Sequence, residues 1–228
     1  MKLIKPGFKI LTPISYGGII ELQHIERIAR VCYKSEDHIS LDGESAKKLV
    51  KMLIDRGHEA MLEHGSLSVL FICDRGVSHE IVRHRMASFA QESTRYCNYS
   101  KDKFDNEISV IEPNPEFMRA SSIWNAWYES ICESERAYFD LLKNGESPQM
   151  ARSVLPNSLK TEIVMTANYR EWRHFLKLRC ASNAHPQMRE IAIPLLQELN
   201  KKIPVIFEDL PFAEKQGGTK WIIEPKQK

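Results

Sequence analysis

Apolar residues recur every three to four positions in several stretches of the chain, and this spacing predicts amphipathic helices. The stretches begin at Leu22, Ala46, Ile123, Trp172 and Ile191. Short runs of strand-forming residues at 8–14, 67–72 and 159–166 predict strands, with a further short strand around residues 108–111. Long helices with few strands indicate an α+β fold. We expect a mixed β-sheet with several long helices, in a single compact domain over residues 1–228.

The composition narrows the class of protein. Of the 228 residues, 43% are hydrophobic and 27% are charged, which is ordinary for a soluble globular protein. The net charge of +2 gives no reason to expect a nucleic-acid or membrane partner. No run approaches the roughly 18 apolar residues of a membrane span, and no signal peptide is recognisable, so we expect a cytoplasmic protein. The five cysteines are scattered and never in C-x-x-C spacing, which predicts reduced thiols.

Polar side chains replace core residues on a helix that the pattern predicts from Gly76 onward. Val77 and Ile81 start an apolar stripe, and the next positions on the same face are His84, Arg85 and Ser88. At least one of the three consecutive cationic residues 83–85 should face protein or ligand, because three helical residues span roughly 200° of the circumference.

Two interpretations of these cations remain open. A buried guanidinium needs a carboxylate or a phosphate, because an unpaired buried charge costs several kcal/mol. The arginines therefore either bind an anionic ligand or form a structural ion-pair cluster with Glu80 and Glu92.

A second arginine follows an apolar helix face. Asn168 with Glu171 three residues later resembles a capping box. Trp172 and Phe175 define the inner face of that helix, and Arg179 follows one turn later. Without further context, Arg179 could simply bind carbonyl groups at the end of the helix.

Two histidines and two carboxylates crowd residues 58–64, but their spacing does not predict a metal site. A zinc-binding helix needs histidines at i and i+4, whereas His58 and His64 lie six positions apart. We expect a polar turn here, with a substrate-facing loop as the open alternative, and no metal ion in the protein.

The spaced motifs identify a family. Arg83-His84-Arg85 followed by Ser93-Thr94-Arg95 fits the pattern R-H-R-x7-S-x-R, and the chain resembles the flavin-dependent thymidylate synthases over most of its length. Supporting segments occur in the same order as in that family: His58-Glu59, Ala151-Arg152, Leu155-Pro156, Asn168-x-Arg170, and Leu178-Arg179 before His185.

The resemblance implies an enzyme that makes dTMP from dUMP, with methylenetetrahydrofolate as carbon donor and NADPH-reduced FAD as hydride source. It also implies a homotetramer whose active sites combine several subunits. FAD would be held by Arg83, His84, Arg85, Gln91, Asn168, Arg170 and His174. The nucleotide would be held by Glu80, Arg83, Gln91, Glu92, Ser93, Thr94, Arg95, Arg152 and Arg179, and Arg179 would polarise the pyrimidine ring.

The residue types suit this chemistry. FAD and dUMP both carry phosphates, and arginine forks and hydroxyl groups match phosphate oxygens. The sequence has no Gly-rich phosphate loop, so side chains must take its place. None of the five cysteines has an obvious histidine partner, so no enzyme nucleophile on uracil is expected.

Two other functions stay open at this point. Arginines beside Phe89, Tyr96 and Tyr99 could serve a nucleic-acid-binding module, although the balanced net charge argues against it. A flavoprotein that has kept cofactor binding without methyl transfer is the other alternative, and the role of Arg179 distinguishes it.

Overall fold

The computed structural model describes residues 1–114, 120–211, 214–216 and 220–222. Contacts between Cα atoms divide the chain into two compact units, each built from separate segments. The first unit comprises Met1–Gly7, Phe71–Arg83 and Phe89–Val164, and the second comprises Phe8–Leu70, His84–Ser88 and Met165–Lys228. A single domain over residues 1–228 stays a prediction.

Helices and strands are interspersed along the chain, often with two or more of one type in succession, and the α+β prediction is confirmed. The helices are α1 (Ile19–Val31), α2 (Glu44–Asp55), α3 (Arg75–Ile81), α4 (Ser121–Lys143), α5 (Pro148–Ala151), α6 (Tyr169–Arg179), α7 (Pro186–Lys202) and α8 (Pro204–Phe207). The strands are β1 (Lys2–Ile4), β2 (Gly7–Ile10), β3 (Ser66–Asp74), β4 (Ala87–Gln91), β5 (Ser109–Ile111), β6 (Lys160–Asn168), β7 (Glu214–Gln216) and β8 (Lys220–Ile222).

The strands form three sheets in the described part of the chain. Four of them make one sheet in the order β2-β3-β6-β4. Strands β1 and β5 pair in parallel with Leu3 opposite Val110, and β7 and β8 pair antiparallel. Parallel and antiparallel pairs therefore both occur, and the sequence pattern does not predict β1, β4, β7 or β8.

The apolar helix faces of the second unit are buried as predicted. Leu22, Val50 and Leu195 on three different helices are fully buried. Trp172 on α6 is also fully buried, and its indole N–H donates a hydrogen bond to the carbonyl of Leu67 at 2.9 Å. This bond satisfies the polar atom of a large core side chain, so α6 is firmly anchored.

In the first unit, α4 packs with only part of its predicted face. Ile131 and Tyr138 are buried in a cluster with Tyr99, Val110 and Leu159. Ile123, predicted to be buried as well, is instead 50% exposed. The N-terminal half of α4 therefore keeps apolar side chains on the surface.

The predicted helix through residues 83–88 is wrong. Helix α3 begins after Asp74, whose carboxylate caps Val77 N–H at 2.6 Å, and it ends at Ile81. Turns follow, and β4 starts at Ala87. The chain is drawn into the sheet by pairing with β6, as in the bond from Glu92 N–H to the Glu162 carbonyl at 2.8 Å.

No helix among the described residues has the length and apolar character needed to cross a membrane. All five cysteines are free thiols, which confirms the prediction from their spacing.

Candidate active site

His84 lies at the centre of a buried polar array in the second unit. It is only 4% exposed and lies in the turn that precedes β4. Its Nδ1 is 2.9 Å from a carboxylate oxygen of Glu171, and its Nε2 accepts a hydrogen bond from Nε of Arg179 at 3.1 Å. The rings of Phe175 and His174 pack edge-on against it. One histidine thus connects a carboxylate and a guanidinium.

The environment of His84 favours its neutral form. Burial lowers the pKa of His84 below its usual value of 6.5, and the nearby Arg179 lowers it further, although the hydrogen bond that the ring donates to Glu171 acts in the opposite direction. Because a guanidinium only donates hydrogen bonds, Nε2 of His84 must carry a lone pair. The proton of the neutral ring is therefore on Nδ1, facing Glu171.

A cavity of about 420 Å³ opens beside this array. It is lined by Glu59, Glu63, Met86, Asn168, Arg170, Glu171, His174 and Lys177. Asn168 caps α6 by accepting a hydrogen bond from Glu171 N–H at 2.8 Å, as predicted. Arg170 donates to Glu63 at 2.5 Å. Three of the residues predicted to bind flavin, Asn168, Arg170 and His174, thus line one cavity.

The arginines on both sides of His84 are exposed. Neither Arg83 nor Arg85 makes a side-chain hydrogen bond or an ion pair within the part of the chain that the structure describes. Glu92 pairs instead with Lys160 at 3.2 Å. Within the described residues, a structural ion-pair cluster of these arginines with Glu80 and Glu92 is therefore wrong, and both guanidinium groups are accessible to an anionic ligand.

In the first unit, Gln91 and Glu92 are engaged with their own surroundings. The Gln91 amide nitrogen donates to the hydroxyl groups of Ser78 at 2.9 Å and Thr161 at 3.2 Å. Glu92 accepts a hydrogen bond from the Tyr99 hydroxyl at 3.2 Å, and burial raises the pKa of Tyr99 above its usual range. These bonds hold the end of β4 in one conformation.

The loop after β4 meets the turn after α5. Nη1 of Arg152 lies 3.5 Å from the hydroxyl of the buried Thr94, and Nε of Arg95 donates to the Gln149 side chain at 2.5 Å. The side chains of Arg95 and Arg152 are exposed. Arg152 thus contacts the hydroxyl of Thr94, and Arg95, the next residue in the sequence, contacts α5 through Gln149.

The remaining predicted nucleotide-binding residues lie close by in the sequence. Ser93 is half-buried, and its hydroxyl accepts a hydrogen bond from Arg95 N–H at 3.3 Å. Glu80 is half-buried in the last turn of α3.

His84, Glu171 and His174 form a cluster that resembles a metal-binding set. Their ligand atoms lie within 4.8 Å of one another. Both nitrogens of His84 are already hydrogen-bonded, and a bound metal ion would have to displace Glu171 or Arg179. The absence of a metal stays a prediction.

Sequence reasoning missed several residues of these arrays. The sequence predicts only a capping role for Glu171 and gives Glu59 only as part of a family segment, and it predicts nothing for Met86 and Lys177. Their side chains line one cavity with the predicted Asn168, Arg170 and His174, and Glu59 and Met86 come from distant parts of the sequence. Only Glu171 could have been found from the sequence, because its position three residues after Asn168 predicts a capping role. That prediction applies to its backbone N–H and not to its carboxylate.

Comparison with known proteins shows which family the chain matches. Residues 21–205 match the family model described as "Thymidylate synthase complementing protein". The chain is 32% identical over 216 residues to a protein of Mycobacterium avium (strain 104), and 33% identical over 214 residues to one of Mycolicibacterium vanbaalenii. Both relatives are named "Flavin-dependent thymidylate synthase", and each match covers 88% of this chain and 84% of the relative.

The extent of these matches and their sequence identity define the class of protein: the matched proteins are transferase enzymes that depend on a flavin. The chain belongs to the family of flavin-dependent thymidylate synthases.

Proposed function

We propose that this protein makes dTMP by reductive methylation of dUMP, with methylenetetrahydrofolate as carbon donor and NADPH-reduced FAD as hydride source, in the cytoplasm. One observation carries the proposal. Asn168, Arg170 and His174, which the resemblance assigns to the flavin, line one cavity of the second unit, and Arg152 and Thr94, which it assigns to the nucleotide, are in contact within the first unit. Arg152 and Thr94 are in contact although 58 positions separate them in the sequence.

The charges of the cavity indicate which part of FAD it would hold. Its lining contains three carboxylates, from Glu59, Glu63 and Glu171, against the cations of Arg170 and Lys177. Carboxylates accept hydrogen bonds and repel phosphate, so this lining suits the hydroxyl and ring N–H groups of FAD.

The pyrophosphate of FAD is negatively charged and requires hydrogen-bond donors that carry positive charge. The exposed guanidinium groups of Arg83 and Arg85 meet that requirement, because each offers a fork of N–H donors that matches phosphate oxygens. His84 lies between them in the sequence but is buried and neutral, so its contribution to flavin binding is to support the site through Arg179 and Glu171. Gln91 supports it through its bonds to Ser78 and Thr161.

The nucleotide phosphate would bind at the loop of residues 93–95. Arg152 and Arg95 supply positive charge, and Thr94 and Ser93 supply hydroxyl groups. A monophosphate carries about −1.5 to −2 charge at pH 7, so two arginines balance it. Glu80, Gln91 and Glu92 would contact the sugar and base from the segments that flank this loop.

Arg179 would act on the pyrimidine ring. Bound FAD supplies the hydride, and the protein must stabilise the negative charge that develops on the ring. A guanidinium held in a half-buried site does this more strongly than water, as donors in an oxyanion hole do. The bond from Nε to His84 fixes the direction of the guanidinium.

An enzyme nucleophile is not part of the proposal. Burial raises the pKa of Cys73 and of Cys180 to about 12, so neither thiol forms an appreciable amount of thiolate at neutral pH.

A homotetramer with shared active sites is also proposed, and Arg83 would reach the nucleotide of a neighbouring subunit. The N-terminal half of α4 supports self-association, because its apolar residues Ile123 and Tyr128 are 50% and 41% exposed. Apolar surface of this kind commonly lies in protein interfaces. Light scattering on the purified protein tests the tetramer, and a monomer at micromolar concentration would rule it out.

The activity is tested by omission. The purified protein is incubated with dUMP, methylenetetrahydrofolate, NADPH and FAD, and dTMP is measured by chromatography. We expect product only when all four are present. Flavin binding without any dTMP would favour the flavoprotein that lacks methyl transfer. A protein that binds no flavin but binds single-stranded nucleic acid with steep salt dependence would favour the nucleic-acid-binding alternative.

A further inference from the structure

The side chain of Glu171 has no part in capping α6. The cap is the bond from Glu171 N–H to the Asn168 side chain, and any residue except proline could donate it from position 171. In a capping box the acidic side chain would reach back to the N-cap residue, but here its carboxylate contacts Nδ1 of His84 at 2.9 Å. Within the described residues, the buried Glu171 carboxylate contacts His84, so capping does not explain why this position carries an acidic side chain.

The carboxylate determines which nitrogen of His84 carries the proton. A carboxylate only accepts hydrogen bonds and a guanidinium only donates them. The ring therefore donates from Nδ1 to Glu171 and accepts at Nε2 from Arg179. In the other tautomer, N–H groups of His84 and Arg179 would face each other, and the bond between them would be lost.

The array is also rigid. The His84 side chain is 3% and the Glu171 side chain 10% exposed, so neither can exchange its partner for bulk water without opening the fold. The Phe175 ring packs against the imidazole with 4.8 Å between the ring centroids. Glu171 and Arg179 lie at opposite ends of α6, and His84 connects them from outside the helix.

We propose that Glu171 is a positioning residue that aims the guanidinium of Arg179 by fixing the tautomer of His84. The inference rests on the proposed function only for what Arg179 then does to the pyrimidine ring. The order of action is Glu171, then His84, then Arg179, and each step is one hydrogen bond. The carboxylate itself touches no reacting atom.

Two variants at position 171 and one control separate this role from a purely structural one. Glu171→Ala removes the acceptor and keeps the helix cap. Glu171→Gln keeps an acceptor oxygen of the same length and should recover most of the lost activity. Glu198→Ala is the control, because Glu198 is a comparably sized acidic residue on α7 that pairs with Lys202 at 3.4 Å and is 38% exposed.

The first readout does not depend on turnover. Nitrogen-15 NMR of histidine-labelled holoenzyme reports which ring nitrogen is protonated, and His84→Asn assigns the signal. We expect the wild type and Glu198→Ala to show His84 protonated at Nδ1, and Glu171→Ala to show a mixture of tautomers. A single unchanged Nδ1–H signal in Glu171→Ala would overturn the proposal.

The second readout is the division between kcat and KM. A misdirected guanidinium impairs the chemical step, and displacements on the order of 1 Å can cost about 100-fold in rate. We expect Glu171→Ala to lower kcat for dTMP formation by about 10- to 100-fold, with KM for dUMP and bound FAD little changed. A kcat within about twofold of the wild type would overturn the proposal.

Arg179→Ala, measured in parallel, distinguishes the two levels of inference. If Arg179→Ala is inactive while Glu171→Ala is fully active, the positioning role fails and the proposed function stands. If the wild type itself makes no dTMP, the proposed function fails, and the NMR experiment still decides whether Glu171 fixes the tautomer.

Discussion

Arg152 and Thr94 are 58 residues apart in the sequence, and a guanidinium nitrogen of the arginine lies 3.5 Å from the hydroxyl of the threonine. Arg152 is exposed and Thr94 is buried, so the hydroxyl holds one edge of the guanidinium and leaves the other toward solvent. Such an arrangement presents a charged fork in a defined direction, which is what phosphate recognition requires.

Replacing Arg152 should therefore weaken nucleotide binding selectively. Hydrogen bonds to charged groups contribute roughly 1.5–3 kcal/mol, so Arg152→Ala should raise Kd for dUMP by about 10- to 100-fold. Deoxyuridine, which lacks the phosphate, should bind to both proteins equally weakly in isothermal calorimetry. Arg136→Ala is the matched control, since Arg136 is 70% exposed and pairs with Glu133 on the surface of α4. Equal loss of affinity for dUMP in both variants would contradict a phosphate-binding role.

Arg179 should be required for chemistry and not for cofactor binding. Removing a donor that stabilises developing charge commonly costs about 100- to 1,000-fold in kcat. We expect Arg179→Ala to purify with bound FAD and to lose dTMP formation by at least that factor. Dialysis against buffer followed by absorbance at the flavin maximum checks the first point. Retained synthesis would remove the role assigned to Arg179.

Acid should destabilise the fold through His84. Because burial lowers the pKa of His84 in the folded state, the unfolded chain binds more protons below its usual pKa of 6.5. The free energy of unfolding should thus fall as the pH drops below 6.5, by up to about 1.4 kcal/mol per pH unit, and level off below the folded pKa.

Urea unfolding of the wild type and of His84→Gln between pH 5 and 8, at one protein concentration, measures this contribution. Glu171, His174 and Arg179 face the ring and remain in the variant, so their contributions largely cancel in the comparison. The two curves should diverge only below about pH 6.5. Parallel curves over the whole range would show that His84 is not held in its neutral form.

Arg173 should contribute to stability and not to the reaction. It is 2% exposed and lies between two carboxylates, at 3.2 Å from Glu59 and 2.7 Å from Asp209. Although burial alone would raise the pKa of Asp209, the hydrogen bonds from Arg173 lower it below its usual value. Asp209→Ala leaves the buried guanidinium with one carboxylate and should cost about 3 kcal/mol of stability.

Thermal unfolding followed by circular dichroism checks this expectation. Glu133→Ala, which breaks an exposed pair with Arg136, should change stability by no more than about 1 kcal/mol. An equally small effect of Asp209→Ala would mean that Glu59 alone compensates the charge of Arg173.

Helix α6 shows what sequence reasoning could predict. Asn168 as N-cap, the fully buried Trp172 and Phe175, and the helix end at Arg179 all agree with the structure. These features depend on neighbours three or four positions apart, and such local contacts leave a periodic signature. The end of α2 before Gly57, which adopts a φ of 72°, is predictable for the same reason.

The segment around His84 shows where that reasoning stops. The spacing of Val77, Ile81 and His84 fits a helix, but the chain leaves the helix at Ile81 because the residues after Met86 pair with β6. Pairing with a distant strand overrides local preference, and it has no local signature. The bond between His84 and Glu171 spans 87 positions and was invisible for the same reason.

The central claim is that the flavin and the nucleotide serve one reaction, and the visible spectrum of the purified protein tests it most directly. Under anaerobic conditions with NADPH and dUMP, the protein is predicted to show an oxidised flavin spectrum that bleaches. Addition of methylenetetrahydrofolate should then restore the oxidised spectrum as dTMP forms. A colourless protein that takes up no added FAD, or a bleached flavin that recovers without any dTMP, would contradict the account.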